Sequence, residues 1–279
     1  MRIATFNLLH GLALSSGRPD SSTDAALLRE AVACLDADVL GLQEVDVHQP
    51  RSAMVHQVAE AAGAMGAASW RFAPSVHGTP GVERSWVPAS DADAHGGDDA
   101  FDVDHGPRYG VGLVSRLPVR DWRVTRFDAA PWSLPLLVPS DAGGRRPQVL
   151  RIPDEPRAAV AGVVDGHHGP VTVATVHLSF VPGYNVRQLR AVRRWLAGLP
   201  RPLLLVGDLN LPGAIPRRAS GWTQLARVPT YPSYRPKVQF DHVLADGLPA
   251  EVAARASATA RAVTLGISDH CALVVDVDL

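Results

Sequence analysis

The chain has 279 residues, 46% of them hydrophobic and 20% charged. That balance excludes a disordered or coiled-coil protein and supplies enough apolar chain for one large core, so a single domain over residues 1–279 is expected. Lys+Arg 27 against Asp+Glu 28 leaves a formal net charge of −1, which is not the profile of a strongly basic, non-specific nucleic-acid binder. Cys34 and Cys271 are no disulfide framework. Both lie in apolar sequence and read as buried, reduced thiols, which suits a cytoplasmic protein. The opening MRIATFNLLHG has no apolar stretch long enough for a signal peptide, and no run of about 18 apolar residues predicts a transmembrane helix.

In chain order, Arg2 to Phe6 reads as a short core strand that ends at Asn7. Ser21, Ser22 and Thr23 offer N-caps, and Ala25, Leu28, Val32 and Leu35 recur at helical spacing, which predicts a helix to about Leu35. Asp38 to Leu42 reads as a buried strand that stops at Gln43-Glu44. Ser52 opens a second amphipathic helix through Val55, Val58, Ala59 and Ala62, closed by Gly63. Residues 74 to 107, rich in Asp, Gly, Pro and Ala, read as a long acidic surface loop, and a second Pro/Gly-rich stretch covers 131 to 147. Further strands are expected at Gly110–Ser115, Gln148–Ile152, Arg157–Val164, Val171–Val176, Leu203–Val206, Phe240–Leu244 and Cys271–Val277. Val186, Leu189, Val192 and Leu196 mark a third helix. Strands dominate and helices intervene irregularly, which predicts mixed sheets covered by helices.

Chemistry is written at the ends of these strands. Asn7 follows RIATF, Glu44 follows DVLGLQ, His177 follows VTVATV, and Asp208 and Asn210 follow LLLVG. Asp241 and His242 lie inside QFDHVL, and Asp269 and His270 precede CALVVDV. Each alone has an ordinary structural reading: a turn former, a solvated strand end, a core histidine. A carboxylate inside an apolar strand, such as Asp241, needs a partner. Together the residues form one toolkit for phosphate chemistry. Glu44, Asp269 and Asn7 are hard oxygen ligands that suit Mg²⁺, or Mn²⁺ in its place, better than Zn²⁺. His177 and His270 exchange protons near neutral pH, and Asn210 donates to a phosphate oxygen.

These residues sit in motifs that resemble those of a known family. TFNLLHG, DVLGLQEVD, YGVGLVSRLPV, VATVHLS, LLLVGDLNLP, YPSYRPKVQFDHVL and ISDHCALVVDV are similar, in this order, to the motifs of the endonuclease/exonuclease/phosphatase superfamily, whose members include deoxyribonuclease I-like enzymes. The resemblance runs from residue 2 to residue 278 and implies a four-layered α/β sandwich, two packed mixed sheets flanked by helices. It also implies a divalent-metal-dependent phosphoesterase. In that reading Glu44 is the principal metal ligand, supported by Asn7 and Asp269. Asp208 orients or deprotonates the attacking water, Asn210 binds phosphate, Asp241 and His270 form a carboxylate–histidine pair, and His177 contacts the phosphate. Deoxyribonuclease-like members use an acidic residue to orient the histidine matching His177; Glu83, Asp102 and Asp104 are candidates for that role.

Arg187 and Gln188, on the helix after the His177 strand, are either an exposed helix face or phosphate contacts. Arg108 and Tyr109, ahead of GVGLVS, carry the same alternatives. Three functions follow. A phosphodiesterase or phosphatase acting on a small or lipid-derived phosphoester is favoured by the balanced charge, by the acidic stretch Asp91 to Asp104, and by the few basic residues near the motifs (Arg108, Arg187, Lys237). A nuclease of the same fold is the alternative, with nucleic acid a possible but not favoured partner. A non-catalytic binding module would have lost part of the toolkit, which is intact.

Overall fold

In a computed structural model of the full chain, residues 1–15, 18–20, 25–81, 85–97, 106–138 and 148–279 are described. The first half runs β1 (Arg2–Asn7), β2 (Ala13–Ser15), β3 (Arg18–Asp20), α1 (Ala25–Leu35), β4 (Val39–Val47), α2 (Gln57–Met65), β5 (Ser69–Thr79), β6 (Ser85–Pro88), β7 (His95–Gly96), β8 (Arg108–Ser115) and β9 (Val119–Phe127). The second half runs β10 (Ser133–Val138), β11 (Gln148–Pro153), β12 (Arg157–Gly166), β13 (Gly169–His177), α3 (Tyr184–Trp195), β14 (Leu203–Asp208), α4 (Ile215–Ser220), β15 (Thr223–Gln224), β16 (Asp241–Asp246), α5 (Ala250–Thr259), β17 (Arg261–Val263) and β18 (Ala272–Asp276).

Two mixed sheets form the centre. The first has eight strands in the order β17-β18-β1-β4-β8-β5-β6, with β7 added beside β5; the second has six, in the order β15-β16-β14-β13-β12-β9. Each contains one parallel pair, β1 with β4 and β13 with β14, and each such pair is connected by a helix. The apolar residues divide into three layers as a result. Ile3, Val39, Leu113, Val160, Val173, Val206 and Leu273 pack between the sheets. Phe6, Leu40 and Leu42 face α1 and α2 through Leu28, Val32 and Val58. Val176, Leu203 and Leu205 face α3 through Leu189, Val192 and Leu196. The architecture is the four-layered α/β sandwich expected from the motifs, with five helices among the described residues.

At Gly41 the sheets approach through a residue without a side chain. A Cβ on Gly41 of β4 would lie 2.6 Å from Thr175 Oγ1 and 2.7 Å from Val206 Cγ2, both on the facing sheet. Beside it the buried Gln43 amide donates to Thr175 Oγ1 at 2.8 Å, while its Oε1 accepts from Thr5 Oγ1 at 3.1 Å. This buried polar bridge fixes how one sheet is seated on the other, because leaving any member unpaired costs about 1–3 kcal/mol.

Several sequence expectations need correction. Residues 74 to 107 are not one loop. β5 continues to Thr79, pairs with β6 and β8, and the Asp91–Asp93 turn and β7 follow. The strand pattern was hidden by Pro74 and Gly78, which sit at a register shift and at a positive-φ position. Asp98, Asp99, Asp102 and Asp104 lie outside the described residues, as does Glu83. Ser133–Val138 of the second Pro/Gly-rich stretch pairs with β11. The second helix begins at Gln57, capped by His56, and ends at Gly66 rather than Gly63; Pro50–Ser52 is a separate helical turn. β9 and α5 had no reading in the sequence. Cys34 is exposed on α1, whereas Cys271 is buried.

The tight contact gives a test. Gly41→Ala should destabilise the protein by about 1–3 kcal/mol, the range for overpacking a well-filled core. Because the same contact seats the two halves of the site described below, turnover under folding conditions should fall more than stability does. Thermal unfolding and kcat measured on one preparation check both.

Candidate functional site

The second sheet sets three polar residues in a row. His177, the last residue of β13, is in register with Asp208, the last of β14, and Asp208 is in register with Asp241, the first of β16. The apolar strands VTVATV and LLLVG thus deliver their terminal polar residues to one edge. The first sheet meets that edge with Asn7, in register with Gln43. The next residue, Glu44, adopts φ 54° where the pairing of β4 with β8 slips between Leu42 and Val45. Such a bulge re-aims a side chain that regular alternation would point elsewhere. Asn210 (φ 48°) and Ser268 (φ 71°) are also left-handed, and backbone of this kind costs about 1–3 kcal/mol per residue, held by its surroundings.

Hydrogen bonds cross between the sheets. Asn7 Nδ2 donates to Glu44 Oε1 at 2.9 Å and to Asp208 Oδ2 at 3.0 Å, and its Oδ1 accepts the Leu9 N–H at 3.1 Å. The Asn210 N–H donates to Asp208 Oδ1 at 2.8 Å. His270, just before β18, reaches across to Asp241 with Nδ1 2.8 Å from Oδ2, while its Nε2 lies 3.8 Å from Asp208 Oδ2. Ser268 anchors this turn, its hydroxyl donating to the Asn7 carbonyl at 2.6 Å and accepting the His270 N–H at 3.0 Å. The Tyr231 ring packs 4.9 Å from the His270 ring. His242, next to Asp241 in β16, points to the opposite face and bonds the Leu211 carbonyl at 2.8 Å, so it braces the core.

The electrostatics follow from crowding carboxylates in a buried place. Burial pushes Asp208 up to about 6, against the opposing pull of His270 and with a further push from Asp241. Burial likewise raises Asp269, which is largely buried, to about 6, with Glu44 adding to it. His270 shows the reverse. Burial would lower it, but the charge and hydrogen bond of Asp241, then Asp208 and Asp269, raise it to about 10. Asp241 Oδ1 is buried and has no hydrogen-bond partner among the described residues. Asp208, Asp241 and His270 lie close enough together to hold a metal ion. Since His270 is held protonated by its neighbours, oxygen atoms are the better donors here, and an all-oxygen set matches Mg²⁺ or Mn²⁺.

His177 has an unexpected neighbour. Arg157 Nη1 is 3.1 Å from His177 Nδ1, and the same guanidinium is held by Asp154 at 3.1 Å and Glu155 at 3.2 Å. On its other side His177 Nε2 lies 3.2 Å from Asn210 Nδ2. Burial, Arg157 and then His270 all drive the His177 pKa well below 6.5, so the ring is neutral. Asp154 also accepts from Ser179 Oγ and from the Ala130 N–H, both at 2.7 Å. Burial pushes Glu155 up to about 7, with Arg157 opposing and Glu44 reinforcing. The Asp154–Glu155–Arg157 group was missed in the sequence. Its one signal was three charged residues entering an apolar strand, in PDEPR.

The remaining candidates separate. Tyr109 is buried near Glu44, its hydroxyl pKa raised by burial and then by the charges of Glu44 and Glu155; Arg51, bound to Asp46 at 2.7 Å, lies over its ring. Arg108 alternates to the other side, where its charge acts on His48 and His56. Arg187 is exposed on α3, its guanidinium 5.5 Å from the Tyr184 ring centroid. Gln188 is not on an exposed helix face. It is buried, accepts the Ser179 N–H at 2.8 Å and donates to the Asp128 carbonyl at 3.1 Å.

Comparison with known proteins follows the same outline. A search of curated protein sequences gives no match. Among solved structures, an endonuclease/exonuclease/phosphatase from Beutenbergia cavernae is 20% identical, covers 100% of this chain and 71% of its own, and superposes with a TM-score of 0.60. A mannosyl-6-phosphatase from Bacteroides thetaiotaomicron is 14% identical over 100% of both chains, with a TM-score of 0.54. The human Nocturnin catalytic domain, solved with a bound sulfate anion, is 17% identical over 99% of this chain and 93% of its own, with a TM-score of 0.50. At these identities the structural likeness establishes the fold. The family itself is established by sequence: residues 4–270 match the model of the Endonuclease/Exonuclease/phosphatase family, and the chain belongs to that family.

Proposed function

We propose that this protein is a divalent-metal-dependent phosphoester hydrolase that works by in-line attack of water. The observation that carries the reading is the row His177, Asp208, Asp241 facing Asn7 and Glu44, with His270 bridging to Asp241. Glu44 and Asp269 would hold the cation, with Asn7 supporting them through the Nδ2 that donates to Glu44 Oε1. When bound, the cation polarises a phosphoryl oxygen and offsets charge on the leaving oxygen. Asp208, fixed by Asn7 and the Asn210 N–H, orients the attacking water. His270, kept cationic by Asp241, holds a non-bridging phosphate oxygen. Asn210 and the neutral His177 bind phosphate as uncharged groups.

The substrate reading is a small or lipid-derived phosphoester. It is supported by Arg51 and Arg157, which stand beside Tyr109 and His177 and are already paired with carboxylates. The second reading, a nuclease, is favoured by a separate group of arginines on α3 and α4 (Arg187, Arg190, Arg193, Arg194, Arg217 and Arg218). A non-catalytic binding module fits poorly with an intact set of charged groups buried at this cost. No helix among the described residues is long and apolar enough to cross a membrane. A cytoplasmic location agrees with two unpaired cysteines.

Activity should require added Mg²⁺ or Mn²⁺. Glu44→Ala should abolish nearly all turnover on bis-p-nitrophenyl phosphate while circular dichroism stays unchanged; full wild-type activity in EDTA overturns the reading. A panel adding single- and double-stranded DNA, RNA, sphingomyelin and inositol phosphates ranks the substrates. His270→Ala and Asp241→Asn should each lower kcat/KM on the order of 10²-fold or more. Their double variant should be little worse than either alone, because groups acting as one unit are not additive. Multiplicative losses would mean that the two act separately.

A further inference from the structure

The near-zero net charge conceals a strong asymmetry. Between Leu178 and Phe240 the sole carboxylate is Asp208, buried in the site. That stretch holds α3 and α4, on which Arg187, Arg190, Arg193, Arg194, Arg217 and Arg218 are all exposed. None of the six forms an ion pair with a described residue; the nearby pair is Arg201 with Asp246 at 2.9 Å. On α3 the apolar stripe Leu189, Val192 and Leu196 is buried against the second sheet. Arg187, Arg190 and Arg194, spaced three and four residues apart, line the outward side. Basic residues in the last turn of a helix offset its dipole, which accounts in part for Arg193, Arg194, Arg217 and Arg218. It does not account for Arg190, nor for Arg187 beyond its contact with the Tyr184 ring, and no acidic residue on either helix balances them.

The face has direction. At one end it touches the site: Asn185 Nδ2 donates to the Asn210 carbonyl at 2.8 Å, and next to it the Tyr184 ring stands 6.5 Å from Trp132, which is 56% exposed. At the other end a cavity of about 430 Å³ opens between the ends of α3 and α4, lined by Arg193, Arg201, Arg218, Ser220, Trp222 and Asp246. Asp246 pairs in register with Leu203, at the start of β14, whereas the site lies at its end, about 17 Å away along the strand. Aromatic rings, a line of arginines and a basic cavity therefore succeed one another down the flank of the sandwich.

We propose that the α3–α4 face is a docking site for single-stranded nucleic acid, with phosphates on the arginines and a base stacked at Trp132 and Tyr184. Base stacking beside a basic track is how single strands are held without sequence preference. A flexible strand can leave the cleft edge and follow α3 down the flank. A bilayer is planar and would lie against the flank or the cleft edge, not both, and a duplex is too stiff for that turn. The docking is independent of catalysis and does not rest on the phosphoesterase reading.

The test measures fluorescence anisotropy of labelled 20-mer oligothymidylate and oligouridylate with the full chain in EDTA. Binding should weaken with salt at a log–log slope of about −4, from six phosphate contacts at about 0.7 each. Arg190→Glu/Arg194→Glu/Arg218→Glu should weaken binding at least 10-fold and flatten the slope by about 2. Hydrolysis of bis-p-nitrophenyl phosphate by that variant in Mg²⁺ should match wild type. If the charge reversals impair folding, Arg190→Gln/Arg194→Gln serves instead. Trp132→Ala should weaken binding about 10-fold with the slope unchanged. Unchanged affinity in the arginine variants, or tighter binding to phosphatidylserine-containing vesicles than to the oligonucleotides, overturns the proposal. Strong docking by a protein that hydrolyses no phosphoester in Mg²⁺ would overturn the function proposed above and leave the docking site standing.

Discussion

Crowded negative charge at the meeting line of two sheets is the constraint on which the rest depends. Glu44 comes from one sheet and Asp208 and Asp241 from the other, with Asp269 at the turn into β18. Their one cationic partner in the row is His270. Burying carboxylates this close is unfavourable unless each is hydrogen-bonded or balanced by positive charge. The protein meets part of the demand with the Asn7 amide, the Asn210 N–H and the His270 imidazolium. The remainder is visible in the raised pKa values of Asp208 and Asp269 and in the unpaired Asp241 Oδ1. That residual negative potential is of the sign that favours a cation, as the proposed function requires.

This arrangement survives only if the sheets cannot slide. Gly41 lets the backbones approach, and the Thr5–Gln43–Thr175 bridge permits a single seating, because a shift would strand buried polar groups. Asn7 to Asp208 and His270 to Asp241 then act as further cross-links between the sheets. The residues of the site thus also fasten the fold. The left-handed turns at Glu44, Asn210 and Ser268 run against local preference and persist because these cross-links hold them.

The second electrostatic feature is a separation of charge. The cleft is acidic, while the flank that descends from it along α3 is basic and forms no ion pair among the described residues. On the cleft side the arginines are committed: Arg51 to Asp46, Arg157 to Asp154 and Glu155. On α3 and α4 the six exposed ones pair with no carboxylate among the described residues. A polyanion is therefore attracted to the flank and, without a cation, repelled at the site itself. The proposed docking and the proposed chemistry would in this way fall on different surfaces of one nearly neutral chain.

The sequence by itself determined the element types near the site, because apolar runs ending in Asn7, Glu44, His177, Asp208 and Asp269-His270 can be seen one strand at a time. It also determined the family, since the motifs keep their order from residue 2 to residue 278. Only the tertiary structure decided who meets whom. That Arg157 would reach His177, or that Gln188 would turn inward, depends on pairings between residues far apart in the chain, and local periodicity carries no trace of them. Pro74 and Gly78 hid a strand whose existence depends on its neighbour β8. The arginines of α3 were present in the sequence but diluted by a total of −1; a helix wound against a sheet was needed to sort them onto one surface. Periodicity reports which face of an element is buried, whereas contacts across the sheets arise only when the packed core sets their register.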